Sequence, residues 1–470
     1  MSADPRQFKQ AASQALKNPR LQTALGRIKS HFVHKRAEAV ERFGAFEALR
    51  HEGHAIRDRA IANLDMLLVQ FEDSVRARGG QVHWARDADE ARQAVADILR
   101  QAGARTVIKG KSMVTEEIGL NDFLEREGFT PVETDLGEYI VQLRHEAPSH
   151  IIAPAFHLNK EDIAQTFREA HTGLAPERAL VERSALVAEA RQILRRQFES
   201  ADAGITGANF LTAAEGAAVL VTNEGNGDLS RLLPRTHIVV TGIEKVVANL
   251  SEASVLLRLL TRSATGQEIT SYVTIMAGPV ADDAAANTAT RDFHVVLIDN
   301  GRSDLLGTEA QDALRCIRCA ACLNHCPVYG AIGGHAYGAT YPGPIGAALN
   351  PGLIGLADAC HHPNASTFCG RCAEACPVEI PLPQIMRSWR AKEYEAEPRA
   401  GARKTSFALW AFVARRPALY RFATRIAARM IPYLGHKPLT AAPLLAGWLN
   451  GRALPRANGH TFHDLWRQRQ

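Results

Sequence analysis

Apolar positions recur with helical spacing through the first 75 residues of the chain. The pattern is clearest in HKRAEAVERFGAFEALR and in IANLDMLLVQFEDSV. In the second of these segments four apolar side chains fall on one helical face: Ile61, Leu64, Leu68 and Phe71. We therefore predict a helical N-terminal segment over residues 1–75.

From Gln81 onward the pattern changes to short β-branched runs separated by helical stretches. The strand candidates are QVHWA, TVI, HIIAPA, AAVLVTN, HIVVTG, SYVTIMAG and FHVVLID. The helix candidates between them include ADEARQAVADILRQAG, ERSALVAEARQILRRQF and EASVLLRLLTR. Such alternation is typical of βαβ units. It predicts an α/β domain with a mostly parallel sheet over residues 76–300.

All eight cysteines lie beyond that domain, between positions 316 and 376. Cys316, Cys319, Cys322 and Cys326, followed by Pro327, have the C-x2-C-x2-C-x3-C-P spacing of bacterial ferredoxins. The second group is Cys360, Cys369, Cys372 and Cys376, followed by Pro377; it matches only in its last three members, because eight residues separate Cys360 from Cys369. We predict an α-helical ferredoxin-type domain with two 4Fe-4S clusters over residues 301–395.

Ferredoxin runs ligate crosswise, so that the fourth cysteine of each run serves the other cluster. Cluster I would then take Cys316, Cys319, Cys322 and Cys376, and cluster II would take Cys326, Cys369, Cys372 and, by elimination, Cys360. Structural zinc is the alternative, since two C-x2-C pairs also form tetrahedral sites. Zinc does not require a third cysteine or the Cys-Pro endings. We expect the adjacent His325, His361 and His362 to have surface or supporting roles.

Composition and the N-terminus indicate an ordinary globular protein of the cytoplasm. The hydrophobic fraction is 46% and the charged fraction 22%. MSADPRQFKQAASQALKNPR has no apolar stretch behind its charges, and no apolar run approaches the ~20 residues that span a bilayer. Thiols stay reduced in the cytoplasm, which favours metal binding over disulfides. Peripheral contact with the inner face of the membrane stays open.

Charge is distributed unevenly along the chain. The net charge is +5, but residues 398–470 contain thirteen Lys or Arg and one acid, so this segment carries +12 and the remainder about −7. Within it, RRPALYRFATRIAARMIP predicts a basic amphipathic helix, preceded by the apolar SFALWAFVARR. We therefore predict a basic helical C-terminal region over residues 396–470. It suits docking to a partner, which we favour, or to a membrane surface, although a solvated tail is the alternative.

Nucleotide-binding motifs fail in the α/β domain. KGKSMVTEE lacks the first glycine of a P-loop, because position 105 is arginine, and NEGNGDLS lacks the third glycine of a dinucleotide fingerprint. Polar residues instead gather at predicted strand-to-helix turns, where open α/β sheets bind ligands. They are Lys109, Lys111, Ser112, Glu116, Glu133, Asp135, Thr222, Asn223, Glu224, Asn226 and His237. Lys111 and Glu224 are our candidates for binding or catalysis on a carboxylate; capping and solvation are the alternative.

Four segments resemble the lactate utilization protein B family: GKSMVTEEIGLN, LGEYIVQLRHEAPSHIIAPAFHLNKEDIA, GITGANFLTAAEGAAVLVTNEGNGDLSRLLPRTHIVVTGIEKV and CIRCAACLNHCPVYG. The resemblance implies a lactate-utilization domain related to sugar-isomerase and CoA-transferase folds, joined to a two-cluster ferredoxin domain and a basic C-terminal region. It further implies a three-component, NAD-independent system that oxidises L-lactate to pyruvate. The other components would be a cysteine-rich redox subunit and a second lactate-utilization-domain protein.

Three functions remain to be compared. The first is an iron–sulfur electron-transfer subunit that is not an autonomous enzyme. The second makes the α/β domain the catalyst on a 2-hydroxy acid or related carboxylate, with the clusters as acceptor. The third is a cluster-based redox regulator that binds nucleic acid; because no recognition module accompanies the basic tail, we expect no nucleic-acid partner.

Overall fold

The computed structural model describes residues 4–279, 291–396, 401–434 and 458–470. These residues divide into one compact unit that ends at Glu393 and a second unit over Tyr394–Gln470. The first unit begins with helices at Phe8–Leu16, Pro19–Ile28, His34–Phe43, Phe46–Ala62 and Leu64–Ala77. Leu64, Leu68 and Phe71 are buried together on the helix Leu64–Ala77, as predicted. Ile61 is also buried, but it lies on the preceding helix and packs in a different cluster, so the predicted single face does not extend to it.

Ten strands lie in the described residues: β1 Gln81–Ala85, β2 Thr106–Lys109, β3 Thr130–Glu133, β4 Ala203–Thr206, β5 Phe210–Thr212, β6 Ala217–Thr222, β7 Thr236–Gly242, β8 Val246–Val247, β9 Tyr272–Met276 and β10 Asp292–Ile298. Six form a sheet in the order β1-β10-β7-β4-β2-β3, in which every pairing is parallel. The predicted parallel α/β sheet is therefore confirmed. A smaller sheet, β8-β5-β6-β9, mixes parallel and antiparallel pairs and was not predicted.

Helices alternate with the strands of this region, at Ala88–Gln101, Met113–Glu117, Leu120–Arg126, Leu136–Leu143, Lys160–Ala170, Arg183–Ser200, Asn226–Leu232 and Leu250–Thr265. Side-chain caps begin several of them: Asp87 accepts the backbone N–H of Glu90, and Asn249 accepts that of Glu252. Because both faces are covered, all seven residues of β7 are buried. This explains its central apolar run over residues 238–240, since buried parallel strands are rich in such residues.

The predicted strand HIIAPA is wrong, since this segment forms a turn. His150 accepts the backbone N–H groups of Ile152 and Ala153 on its Nδ1, each at 3.1 Å, and these are donors that a strand would give to its neighbour. Pro154 has no N–H to offer, and its carbonyl oxygen accepts the N–H of Ser149. Hydrogen bonds to the His150 side chain therefore take the place of the backbone hydrogen bonds that a β-strand would make here.

Short helices dominate the cysteine-bearing region, at Ala321–Asn324, Tyr329–Ile332, Gly343–Leu353, Leu356–Ala359, His361–Asn364, Arg371–Glu374 and Leu382–Ala396. The N-terminal helices pack on this region: Leu25 and Phe46 share a buried core with Leu323, Tyr329 and Ile345. The two parts of the first unit thus hold one another in place. The predicted domain boundaries at 75, 300 and 395 stay predictions.

The second unit contains helices at Ala402–Ala414, Pro417–Met430 and Phe462–Arg469. The basic helix predicted from Pro417 is confirmed, and Asp464 pairs with Arg425 at 2.7 Å. Phe422, Ile426 and Met430 are exposed along it. Residues 435–457 of the predicted tail lie outside the described residues. Among the helices that are described, none has the length and apolar character needed to cross a membrane.

Candidate iron–sulfur centre and the adjoining pocket

Four cysteines line one small cavity, and they are the four that the crosswise pattern assigns to cluster I. Cys316 and Cys319 come from the loop between the turn at Gln311–Arg315 and the helix Ala321–Asn324, and Cys322 comes from that helix. Cys376 comes from the turn that follows the helix Arg371–Glu374. We call these four residues the first cysteine set.

The chemistry of this donor set fits a 4Fe-4S cluster. Burial, together with the neighbouring Cys376, raises the pKa of Cys319 to about 12, so thiolate formation here needs a bound cation. Backbone amides donate to two sulfurs: Arg318 N to Cys316 Sγ at 3.3 Å and Ile380 N to Cys376 Sγ at 3.4 Å. Such donors tune the potential of iron–sulfur centres. Apolar side chains, among them Ile345, complete the lining.

A second cysteine set consists of Cys326, Cys369 and Cys372. Burial and then the charges of Cys326 and Cys369 raise the pKa of Cys372 to about 12. Tyr329 N donates to Cys326 Sγ at 3.4 Å, as in the first set. The ligand assignments of both sets stay predictions.

Cys360, the fourth predicted ligand of cluster II, lies between the helices Leu356–Ala359 and His361–Asn364. Burial and the charge of Glu393 raise the pKa of its thiol, and the charge of Lys9 lowers it. Its assignment also stays a prediction.

Two of the adjacent histidines, His325 and His362, contact other groups of the protein. Buried His362 contacts the carbonyl oxygen of Tyr337 at 2.7 Å and Asn350 Nδ2 at 3.0 Å. His325 donates from Nδ1 to the carbonyl oxygen of Ala321 at 2.8 Å.

A larger cavity, of about 270 Å³, lies at the carboxyl ends of β2, β3, β4 and β7. This is the edge at which parallel α/β sheets bind ligands. We call it the sheet-edge pocket. Seven of the eleven polar residues selected from the sequence line it: Lys111, Ser112, Asp135, Thr222, Asn223, Glu224 and Asn226. The structure thus brings Lys111 and Glu224 into one site.

The other four selected residues do not line this pocket. Lys109 lies buried, with its Nζ 2.5 Å from Glu133 and 3.3 Å from Glu116. Burial favours the neutral amine, but Glu133 and Glu116 outweigh it and raise the pKa of Lys109. His237 lies within the sheet, and its Nε2 contacts Thr206 Oγ1 at 2.9 Å. Lys109, Glu133 and His237 are thus buried outside the pocket lining.

The charged groups of the sheet-edge pocket suit a small carboxylate with a titratable neighbour. Glu224 stands exposed at the mouth, yet its carboxyl group is crowded by protein atoms; this crowding and the adjacent Asp135 raise its pKa to about 7. Lys111 Nζ has no hydrogen-bond partner among the described residues, although Glu138 lies 3.8 Å away. A buried ammonium without a hydrogen bond is costly, so Lys111 suits an anionic ligand.

Arg318, which sequence reasoning missed, lines both the cavity of the first cysteine set and the sheet-edge pocket. Its Nη2 donates to Glu244 at 3.3 Å and its guanidinium lies 4.3 Å from the ring centroid of Tyr341. Its Nε and Nη1 have no hydrogen-bond partner in the described part of the chain. Ile151 also lines both cavities, so the two sites adjoin. The sequence shows only that Arg318 lies between two predicted ligand cysteines, which does not by itself indicate a second cavity.

A buried ion network fixes Arg318. Arg302 pairs with Glu117 and with Glu244, each at 2.7 Å, and Glu244 pairs in turn with Arg318. Burial opposes ionisation of Glu244, but Arg302, Lys245 and Arg318 outweigh it and hold its pKa at about 2. Lys245, also missed from the sequence, lines the sheet-edge pocket, and burial lowers its pKa to about 7.

Family models match three parts of the chain: the LUD domain at residues 68–298, a 4Fe-4S dicluster domain at 312–380, and the C-terminal region of lactate utilisation protein B at 360–470.

Relatives match over nearly the whole chain. Lactate utilization protein B of Bacillus subtilis (strain 168) is 43% identical, over 98% of this chain and 96% of the relative. The protein of that name from Geobacillus kaustophilus is 44% identical, over 93% of this chain and 91% of the relative. The one from Lysinibacillus sphaericus is 41% identical, over 100% of this chain and 98% of the relative.

Proposed function

This chain belongs to the lactate utilization protein B family, and from that premise we propose that it is the iron–sulfur electron-transfer subunit of a complex that oxidises L-lactate to pyruvate. The observation that carries the proposal is the cavity in which Cys376 joins Cys316, Cys319 and Cys322. A run of cysteines closed by a distant one is the arrangement of two-cluster ferredoxins.

The two cysteine sets would each hold one 4Fe-4S cluster, and a bound 4Fe-4S cluster supplies transfer of one electron at a time. The chain itself supplies the surroundings. Ile345 and Val378 exclude water from the first set, and the amides of Arg318 and Ile380 offset negative charge on its sulfurs.

The partners that we propose are the other subunits of the complex, namely a cysteine-rich redox subunit and a second lactate-utilization-domain protein. Membership of a lactate utilization system supports the existence of such subunits. The basic C-terminal helices are the surface that we propose for docking, because they combine positive charge with exposed Trp410 and Phe422.

The first experiment measures iron and acid-labile sulfide on anaerobically purified full-length chain, with electron paramagnetic resonance before and after dithionite. We expect about eight irons per chain and two interacting reduced centres. The isolated chain should show no lactate-dependent dye reduction. Zinc in place of iron, or substantial turnover by the isolated chain, would overturn the proposal.

A second candidate function makes the sheet-edge pocket a binding or catalytic site for the 2-hydroxy acid. It is favoured by one observation: Ile151 and Arg318 line both this pocket and the cavity of the first cysteine set. Lys111 and Arg318 would hold the carboxylate by charge-assisted hydrogen bonds. Glu224, with its pKa near 7, would take the proton of the substrate hydroxyl.

Lys111→Ala and Glu224→Gln test this second function in the assembled complex. We expect each to reduce lactate turnover at least tenfold while iron content stays normal, since a charged hydrogen bond contributes about 1.5–3 kcal/mol. Lys160→Ala, which changes an exposed lysine on another helix, is the control. Normal turnover in both pocket variants would contradict this second function, and electron transfer would remain the proposed role of the chain.

A further inference from the structure

The cysteine-bearing region is built from two copies of one local structure, offset by fifty residues. The helices Ala321–Asn324 and Arg371–Glu374 occupy equivalent positions, and each is followed by a Cys-Pro pair. Each helix also begins after a left-handed residue, Ala320 with φ +60° or Gly370 with φ +84°.

The hydrogen bonds repeat as well. In the first copy Leu323 N donates to the oxygen of Ala320 at 3.0 Å and Cys326 N to that of Leu323 at 3.1 Å. In the second copy the same bonds join Ala373 to Gly370 at 2.9 Å and Cys376 to Ala373 at 3.1 Å. The two copies therefore have the same backbone path from the second cysteine to the last.

The repeat extends to the first ligand position, where the second copy has Ser366 instead of cysteine. Arg318, with φ +60°, donates its N–H to Cys316 Sγ at 3.3 Å. Phe368, with φ +53°, donates its N–H to Ser366 Oγ at 3.1 Å. The Ser366 hydroxyl thus takes the place in the second copy that the Cys316 thiol takes in the first.

Cys360 lies six residues before this position, outside the repeated structure. Its carbonyl oxygen accepts from Asn364 Nδ2 at 2.8 Å, and Asn364 Nδ2 also contacts Glu393 at 2.8 Å. Asn364 belongs to the helix His361–Asn364 and Glu393 to the helix Leu382–Ala396. At the fifty-residue offset Cys360 corresponds to Ala310, so the first copy has no ligand at this position.

We propose that Ser366 Oγ, rather than Cys360 Sγ, is the fourth ligand of the second 4Fe-4S cluster. The inference rests on the proposed function only in requiring two clusters. The crosswise pattern then becomes symmetrical. Each cluster is held by the first three ligand positions of one copy and by the last cysteine of the other copy. Ser366 would bind as an alkoxide, so that one Fe–O bond forms, the hydroxyl proton leaves to solvent and no electron is transferred. Alkoxide is a harder donor than thiolate and favours the ferric state.

Four full-length proteins test this, purified anaerobically: the unchanged chain, Ser366→Ala, Ser366→Cys and Cys360→Ala. We measure iron and sulfide per chain, the paramagnetic resonance spectra of oxidised and reduced protein, and the midpoint potentials of both centres. Cys360→Ala should match the unchanged chain. Ser366→Ala should lose about one iron in eight and show an oxidised 3Fe-4S signal. Ser366→Cys should keep all its iron and raise one midpoint potential.

Two results would overturn the assignment. One is iron loss in Cys360→Ala with normal iron in Ser366→Ala, which would return the ligand role to Cys360. The other is normal iron and unchanged potentials in both Ser366 variants, which would make the serine a turn residue. If the unchanged chain holds no iron, it is the proposed function that fails, so the two failures are distinguishable. Thr367→Ala, at the exposed neighbouring position, controls for disturbance of the loop.

Discussion

At the scale of single residues, Glu224 combines exposure at the pocket mouth with a carboxyl pKa raised to about 7 by crowding and by Asp135. The carboxyl group is therefore neutral below that pH and negative above it. A carboxylate ligand beside Lys111 would then meet a second negative charge only on the alkaline side. A rise in pH through about 7 therefore adds negative charge to the pocket.

We expect the affinity of the oxidised chain for L-lactate or pyruvate to fall as pH rises through about 7. Isothermal titration calorimetry at about pH 6 and about pH 8 measures this change. Glu224→Gln should make the profile less steep, because its side chain carries no charge at either pH. The change that remains belongs to Lys245, which lines the same pocket and whose pKa is also about 7. A profile that stays equally steep in Glu224→Gln would assign the pH dependence to another group.

Glu244 is the residue on which the buried ion network depends, because it contacts both Arg302 and Arg318. We expect Glu244→Gln to lower the free energy of unfolding by about 3–5 kcal/mol, since it leaves two buried guanidinium groups undercompensated. The fall in thermal midpoint of the anaerobic protein measures this loss. Glu309→Gln, which changes an exposed ion pair with Lys392, should shift the midpoint little.

The contacts of Glu244 also make the stability of the protein depend on pH. The pKa of Glu244 is depressed from 4.5 to about 2, so its stabilising contribution is complete above about pH 4.5 and is lost as pH falls through about 2. A Glu244→Gln variant whose midpoint equals that of the unchanged chain would show that the network does not stabilise the fold.

At the scale of elements, the helix Asn226–Leu232 lies so close to β4 that only glycine fits at position 204. A Cβ on Gly204 would overlap the backbone oxygen of Ser230, which cannot move without shifting the helix. Asn226 and Gly227 of that helix line the sheet-edge pocket. The pocket wall is therefore set by a strand–helix contact.

We expect Gly204→Ala to destabilise the protein by about 1–3 kcal/mol and to weaken carboxylate binding, because overpacking displaces this wall. Gly173→Ala is the control: it lies outside the pocket lining, and its Cβ would meet no atom within 4 Å. Chemical unfolding and calorimetry compare the two variants. Equal stability of both would contradict the close packing.

The sequence predicts elements well where periodicity reports burial and poorly where side chains replace the backbone as hydrogen-bond partners. Buried β7 and β10 were found from their apolar runs. HIIAPA has the same character, but His150 and Pro154 turn it into a loop, and no single-residue preference reveals that capping. Lys111 and Glu224 could be selected because they follow strands. Arg318 could not, because its role depends on two cavities that meet only in the folded chain.

At the scale of the whole molecule, charge is segregated, with about −7 on the first 397 residues and +12 beyond them. The described C-terminal helices expose basic Arg415 and Arg429 together with Trp410 and Phe422. Surface charge of this kind guides association and is screened by salt over about 8 Å at physiological ionic strength. Docking through these helices should therefore be fast and sensitive to salt.

We expect the double change Arg415→Gln and Arg429→Gln to slow association with the other subunits several-fold at low salt and to have little effect at high salt. Surface plasmon resonance across a salt series measures the rates. The matched control changes two exposed basic residues of the first unit, Lys160→Gln and Arg195→Gln, at which we expect no such loss.

Liposome flotation of the full chain separates docking to a subunit from binding to a membrane, because exposed aromatic residues also suit a lipid interface. Strong flotation that persists at physiological salt would assign these helices to the membrane instead of to a partner subunit.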